Sequence, residues 1–374
     1  MDLAFDDELS GLRDTGRHLG HALVEDSVSS RDRRAGWDPS LFVSLASRGV
    51  PGTAIPAAFG GGGAGPLAAV ALWEGLGEGS GDPGLALSLA AHGGLCGVPI
   101  AVLGSRRQRD EFLPGIADGE RVAAVALAES TGGAPGVRAT RTRGGWRLDG
   151  VLPDVINAPV ASTLLLTAAT DGGRRTAFLL DRATPGLSVR GVEPVVLRTC
   201  PFGSVELAGC EVGVGSVLGT PGAATADLVP LLAALDRTLV AAPWLGVLRR
   251  LAERAVELAG APRLARSQSV RLAVVDLCTC AELAGDLLYR AAWELGEMTE
   301  APRQHAAAAK LFLADALPAA TRLVAELAGA EPDPVVTRLH RDWPAFVASA
   351  GGTETLRAAV AHPLLALTPG GGGS

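Results

Sequence analysis

The sequence predicts an α+β protein with an N-terminal helical domain, a middle β-sheet domain and a C-terminal four-helix bundle. Three observations predict it. Residues 5 to about 118 carry helical apolar spacing cut by Gly and Pro. From Gly119 the pattern becomes short Val/Leu-rich runs between turn residues. After residue 222 long helical periodicity returns. With 374 residues, 48% hydrophobic content and a mean hydropathy of +0.27, the chain has ample core for two or three such units. The expected boundaries are 1–118, 119–222 and 223–366. Residues 367–374, ending in PGGGGS, are set aside as a flexible tail.

In the first domain, WDPSLFVSLASRGV puts Asp38 as a cap ahead of Pro39. A helix therefore starts there, with Leu41, Phe42 and Leu45 on its apolar side. IPAAFGGGGAGP interrupts the pattern and LAAVALWEGLGEG resumes it. The glycines at 60 to 63 are not followed by Gly-Lys-Ser/Thr and do not follow a strand, so they read as a turn rather than a phosphate loop. In the middle domain RVAAVALAE, GGWRLDGVLPDVI, STLLLTAA, RTAFLLD, GLSVRGVE and GSVELAGCEV read as successive strands. The bundle helices are expected at 225–260, 267–297, 303–329 and from about 353 onward, joined by short loops. No internal repeat or Rossmann glycine fingerprint is present.

The net charge of −7, the pI near 5.5 and the lack of any Lys/Arg-rich block argue against a nucleic-acid partner. Lysine is very scarce and arginine carries the positive charge, which together with abundant Ala, Gly and Leu points to a GC-rich genome. Cysteines 96, 200, 210, 278 and 280 fit no zinc spacing, so no metal site is expected and buried thiols in a reducing cytoplasm are. The acidic start MDLAFDDEL does not look like a secretory signal, and no uninterrupted apolar run reaches the roughly 18 to 20 residues of a membrane helix. A cytoplasmic protein without a membrane partner is the expectation.

One charged pair stands out. In LDRTLVAAPWLG, Asp236 and Arg237 are the only charges, and helical spacing stacks Asp236 with Val240, Pro243 and Val247. Two readings are open. Asp236 pairs with a nearby Arg or sits solvated at a helix end, since acidic residues are seldom buried alone. Or it is a proton acceptor whose dry surroundings raise its pKa toward that of a general base. Tyr289 and Trp293, at helical spacing, read as bundle core. His92, His305 and His340 are isolated and read as structural or exposed.

The order of domains and several phrases resemble the acyl-CoA dehydrogenase family of flavoproteins over residues 5 to 366. These phrases are LGSRRQRDEFLPGIADGERVAAVALAE at the entry to the sheet, TPGLSV, CEVGVGSVLG, LLYRAAW, and RD followed by GGTETLR. The resemblance implies FAD-dependent α,β-dehydrogenation of an acyl thioester, either acyl-CoA or carrier-bound. It also implies an electron-transfer flavoprotein or other acceptor, and a homo- or hetero-oligomer, dimer or tetramer. Such chemistry needs a carboxylate at the α-carbon, donors on the thioester carbonyl and a flavin on the opposite face, in a site that excludes water.

Most of the family takes its base from a Tyr-Glu-Gly-Thr motif, which aligns here with AGGT and puts Gly351 at the Glu position. Members such as isovaleryl-CoA dehydrogenase carry the Glu on the first long bundle helix instead, directly before an Arg. Counting back from Gly246, Arg237 takes that Arg position and Asp236 the Glu position. The resemblance thus implies Asp236 as catalytic base and Arg237, Trp244 and Gly351 on the substrate side, with AHGGLCGVPIAVLG helping to shape the acyl pocket. Asp is one methylene shorter than Glu, a shortfall of roughly 1 to 1.5 Å.

The flavin contacts diverge further. In LAESTGGAP, Glu129 is kept while Ala128 and Ala134 replace hydroxyl residues; in DVIN, Ile156 stands where a hydroxyl would approach the flavin. Backbone groups of Leu127, Glu129 and Val155 could still cradle the ring, and Thr353 keeps an expected adenosine contact. The Arg-x-x-Phe-Gly that reaches a neighbouring subunit's FAD has no match in AGAPRLARSQS, where Arg263 or Arg266 could supply only a charge. An alternative follows: a catalytically impaired subunit of a heteromeric dehydrogenase, completed by a partner chain.

Overall fold

Helix-forming sequence with well-placed caps builds the first layer. The computed structural model describes residues 7–126, 135–297, 302–329, 333–349 and 351–366. Its first helices are α1 (Asp7–Leu19), α2 (Asp26–Arg33), α3 (Pro39–Ala46), α4 (Gly65–Ser80), α5 (Pro83–Leu89), α6 (Val98–Leu103) and α7 (Arg106–Ala117). Asp38 caps α3 as expected, accepting from the amides of Ser40 at 2.9 Å and Leu41 at 3.2 Å. A reciprocal Ser105–Gln108 box starts α7. The glycines at 60–63 form a turn. Two segments are wound as π-helix: Gly20–Glu25 between α1 and α2, and Ala90–Gly97 between α5 and α6.

The strands are β1 (Ala123–Ala126), β2 (Val137–Arg141), β3 (Gly145–Ile156), β4 (Thr163–Thr170), β5 (Arg174–Asp181), β6 (Leu187–Val192), β7 (Phe202–Gly213) and β8 (Val217–Leu218). They join in one sheet ordered β6-β7-β3-β1-β4-β5-β8, with β2 pairing β3 and β4. β1 runs parallel to β4 and antiparallel to β3, with Val125 between Leu165 and Ile156. β2 and β8 are additions to the expected strands. One face of the sheet has its own core around Leu148, Phe178 and Leu207, and the other packs on the helices.

The chain then returns to helices: α8 (Leu228–Leu235), α9 (Ala242–Ala259), α10 (Gln268–Gly296), α11 (Pro302–Ala328), α12 (Pro334–Ser349) and α13 (Gly352–Ala366). Where one helix was expected over 225–260, a π-helical turn, Asp236–Val240, separates α8 from α9. α12 is an addition to the expected helices. Here Pro334 occupies the first helical turn, where its missing N–H costs nothing, and Asp333 caps the amide of Val335 at 2.8 Å.

Helices α4 and α9 cross in close contact. A Cβ on Gly246 would lie 1.9 Å from the Glu74 carbonyl oxygen, and one on Gly77 would lie 2.1 Å from that of Pro243. This contact fuses the N-terminal helices and the bundle into one hydrophobic core. Against expectation, two stretches among the described residues, Pro83–Leu103 and Leu228–Ala259, are long and apolar enough to cross a membrane. Both are inside the fold, 83% and 89% buried over their most apolar windows, which makes them core helices. All five cysteines are unpaired.

Candidate active site

Where the ends of β3 and β7 face the bundle, a cavity of about 700 Å³ opens. Pro153, Asp154 and Phe202 wall it on the sheet side, and Val240, Trp244 and Phe346 on the helix side. Trp244 and Phe346 lie together, with ring centroids 5.1 Å apart and planes at 33°. At its edge Gly351 has φ +80°, a conformation that L side chains adopt at a cost. The wall also takes in the turn from Val192 to Leu197 and Ser349. A second cavity, about 520 Å³ beside Arg13, Arg249 and Glu282, belongs to an ion network between helices.

Asp236 opens the π-turn one helical turn before Val240, and its carboxylate is fully removed from solvent. It is neither solvated nor paired with an Arg. Lys310 Nζ, equally buried on α11, donates to Asp236 Oδ2 at 2.8 Å. The same ammonium donates to Ser349 Oγ at 2.6 Å and lies 4.8 Å from the Phe346 ring centre. Ser349 Oγ in turn donates to the Phe346 carbonyl at 2.9 Å. Burial lowers the Lys310 pKa; the Asp236 carboxylate works against that shift, while the nearby charge of Arg237 adds to it. Asp236 Oδ1 has no hydrogen-bond partner.

Of the residues singled out in the sequence, the structure brings Trp244 and Gly351 to the cavity wall and Asp236 to a position beneath it. Arg237 is buried, 7% exposed, and outside the wall. Val155 pairs with Ala126 and Gly203 inside the sheet core. Ile156, fully buried, packs into the helical core. Strand alternation sends these two side chains to opposite faces, each into a core, and Pro153 and Asp154, in the register shift between Leu152 and Val155, line the cavity. Thr353 is half-buried in the first turn of α13. Leu127, Ala128, Glu129 and Ala134 lie outside the described residues. The segment 91–104 contributes core rather than cavity wall.

Lys310 and Ser349 were missed. A signal was present: of the 33 Lys and Arg side chains, Lys310 is the sole lysine. Tyr289 is core, as expected, and its hydroxyl donates to Glu74 at 2.6 Å, but Trp293 is 40% exposed and not core. His92 is structural. Its Nε2–H donates to the Ile116 carbonyl at 2.7 Å and its Nδ1 accepts the Ala123 amide at 3.0 Å, tying the second π-segment to β1. His305 pairs with Glu294, and His340 is exposed.

Comparison with known proteins agrees with this architecture. The model of the acyl-CoA dehydrogenase N-terminal domain matches residues 6–120, and that of the C-terminal domain matches residues 232–365. An L-prolyl-[peptidyl-carrier protein] dehydrogenase of Serratia sp. is 27% identical over 79% of this chain and 80% of its own. A benzylmalonyl-CoA dehydrogenase of Aromatoleum aromaticum is 28% identical over 96% of this chain and 99% of its own. A solved structure described as PigA with FAD and proline superposes with a TM-score of 0.91 at 24% identity, covering 97% of this chain and 99% of the other.

Proposed function

This chain belongs to the acyl-CoA dehydrogenase family, and from that premise we propose that it oxidises an acyl thioester at its α,β-bond with Asp236 as base. The observation that carries the reading is a fully buried carboxylate with one open oxygen, one and two helical turns before Val240 and Trp244, which wall a mostly apolar cavity.

The cavity suits a flat ring and an acyl chain. Its helix-side wall is mostly aromatic and aliphatic, and with a ligand seated Trp244 and Phe346 would shield the reacting carbons from water. Exclusion of water strengthens the field of the few polar groups present. FAD, the family's cofactor, would accept the hydride from the β-carbon. The ring portion fits this lining; neither Arg nor Lys is among its described wall residues, so the charge that meets the diphosphate would come from outside the cavity. Asp236 takes the α-proton, and Gly351 leaves open the space where most of the family carries its Glu. Relatives that act on carrier-bound prolyl and on CoA thioesters are equally near in identity, so both thioester classes belong in the assay.

The test uses the purified protein. A yellow preparation whose flavin band bleaches anaerobically with a prolyl-carrier-protein thioester or butyryl-CoA supports the reading. A flavin-loaded preparation that neither thioester bleaches counts against it.

A second reading has its own observation. Arg263 and Arg266 are exposed between α9 and α10, and no cation walls the cavity among the described residues. A partner subunit would then supply the charge for the diphosphate, and this chain would be the impaired half of a heteromer. It predicts a colourless protein that becomes yellow only when co-expressed with that partner.

A further inference from the structure

One strip of the cavity wall is loop rather than helix or strand, and α12 holds it in place. It leaves β6 at the mouth, where Val192 is 41% and Val195 78% exposed, and ends at Leu197, which is 4% exposed. There Leu197 joins Leu87, Val240, Trp244 and Phe346, all of them wall residues and all in one apolar core. Leu197 has φ +52°, a left-handed backbone that is strained for leucine and free for glycine. Two contacts hold it: its amide donates to Asp342 Oδ1 at 2.9 Å, and its carbonyl accepts from the Cys200 amide at 2.8 Å. Asp342 is buried on α12, one turn before Ala345 and Phe346. Arg341 braces it, donating to both of its oxygens at 2.7 and 2.8 Å and to Asp32 on α2 at 2.6 and 3.0 Å. Helix α12 thus supplies part of the wall itself and fixes the loop that supplies another part.

We propose that Leu197, latched by Asp342, closes the inner end of the cavity and sets the length of acyl chain the protein accepts, with Asp342 as the positioning residue. This rests on the cavity holding the acyl group of a thioester. The other four inner residues sit on helical segments whose backbone is fixed along its length, whereas Leu197 depends on two hydrogen bonds. Glycine would meet the demand of the backbone without strain, so it is the leucine side chain, buried among its apolar neighbours, that offsets the strain. Because Leu197 lines the cavity, shortening it adds room to that space rather than leaving a sealed void. The inner residues carry no charge, so this end measures hydrocarbon alone. Each methylene seated there is worth about 4-fold in affinity.

The test follows flavin bleaching with straight-chain acyl-pantetheine thioesters from butyryl to dodecanoyl. Leu197→Ala should move the best chain about two carbons longer and raise kcat/KM for that chain by about 10-fold. Asp342→Ala releases the loop and should broaden the profile toward the same longer chains; Asp342→Val serves if the alanine variant does not fold. Asp342→Asn keeps an oxygen for the Leu197 amide and should keep the parental optimum. Asp342→Ala added to Leu197→Ala should move the optimum no further, since no leucine is left to hold. A merely structural role would lower the rate with every chain and leave the optimum in place. The matching alkyl thioethers of pantetheine, which bind but cannot become enoyl thioesters, are titrated by calorimetry so that length selection is read apart from chemistry. An optimum unmoved in Leu197→Ala, in bleaching and in thioether affinity, would overturn the proposal. Equal shifts in Asp342→Asn and Asp342→Ala would remove Asp342 from it. Thioether affinities that shift as expected, with no thioester bleaching the flavin, would uphold the length gauge and remove the dehydrogenase reading.

Discussion

Glu74 on α4 and Asp236 on the π-turn are both fully removed from solvent, yet their surroundings differ in kind. Glu74 is saturated. Its Oε1 accepts from Arg249 at 2.6 Å and lies 3.2 Å from Arg13, and its Oε2 accepts from Tyr289 at 2.6 Å. Burial pushes its pKa up while Arg249 and Arg13 pull it down, and four helices meet on it. Asp236 has one ammonium on one oxygen and nothing on the other. A buried carboxylate with partners on both oxygens fixes helices in place; one left half-satisfied beside a cavity retains the capacity to accept a proton.

The contrast can be broken most forcefully at the saturated site. Glu74→Ala removes the carboxylate shared by Arg249, Arg13 and Tyr289, leaving the Tyr289 hydroxyl and part of each guanidinium unpaired in the core, and should cost about 3 kcal/mol of unfolding free energy in denaturant titration. Lys310→Met should cost about 3 kcal/mol by the same measurement, because it strands the Asp236 charge. Pairing Lys310→Met with Asp236→Leu should return most of that loss, since a buried ion pair replaced by apolar side chains is often neutral. No such rescue is expected for Glu74→Leu combined with Arg249→Met, where Arg13 and Tyr289 lose their shared carboxylate.

A third buried group sharpens the comparison through pH. His92 is fully satisfied as the neutral ring, and burial lowers its pKa from 6.5 to about 4. Its folded pKa lies below the unfolded one, so its contribution is present above pH 6.5 and is lost as pH falls from there toward 4. Roughly 3 kcal/mol of stability should disappear over that window, and His92→Gln should flatten the dependence. The smallest effect belongs to Gly351. Gly351→Ala should cost about 1 kcal/mol in thermal unfolding, because of its positive φ. For the same reason Gly351→Glu is a strained way to restore the family's usual base.

Much of this was legible in local sequence. Runs such as STLLLTAA and GGWRLDGVLPDVI announce strands because burial on one or both faces leaves its period in the residues themselves, and β3 and β4 follow. At the bundle, the helical stripe that starts at Asp236 and continues through Val240 leads to the cavity wall. The partner of Asp236 was not legible, because Lys310 lies 74 residues away on another helix and local periodicity carries no record of long-range pairing. Ser349 was hidden for a further reason, since α12, the helix that ends on it, was not among the expected helices. The side chains of Val155 and Ile156 enter the two cores on opposite faces of the sheet, a placement that alignment to a motif does not give, since it supplies a position in the chain but not the face of the strand.

The most direct measurement is anaerobic mixing of flavin-loaded protein with substrate thioester, parent against Asp236→Asn, followed at the flavin band. The account predicts rapid bleaching in the parent and a loss of about 1,000-fold or more in the variant with substrate still bound. Bleaching at the parental rate in Asp236→Asn would contradict it.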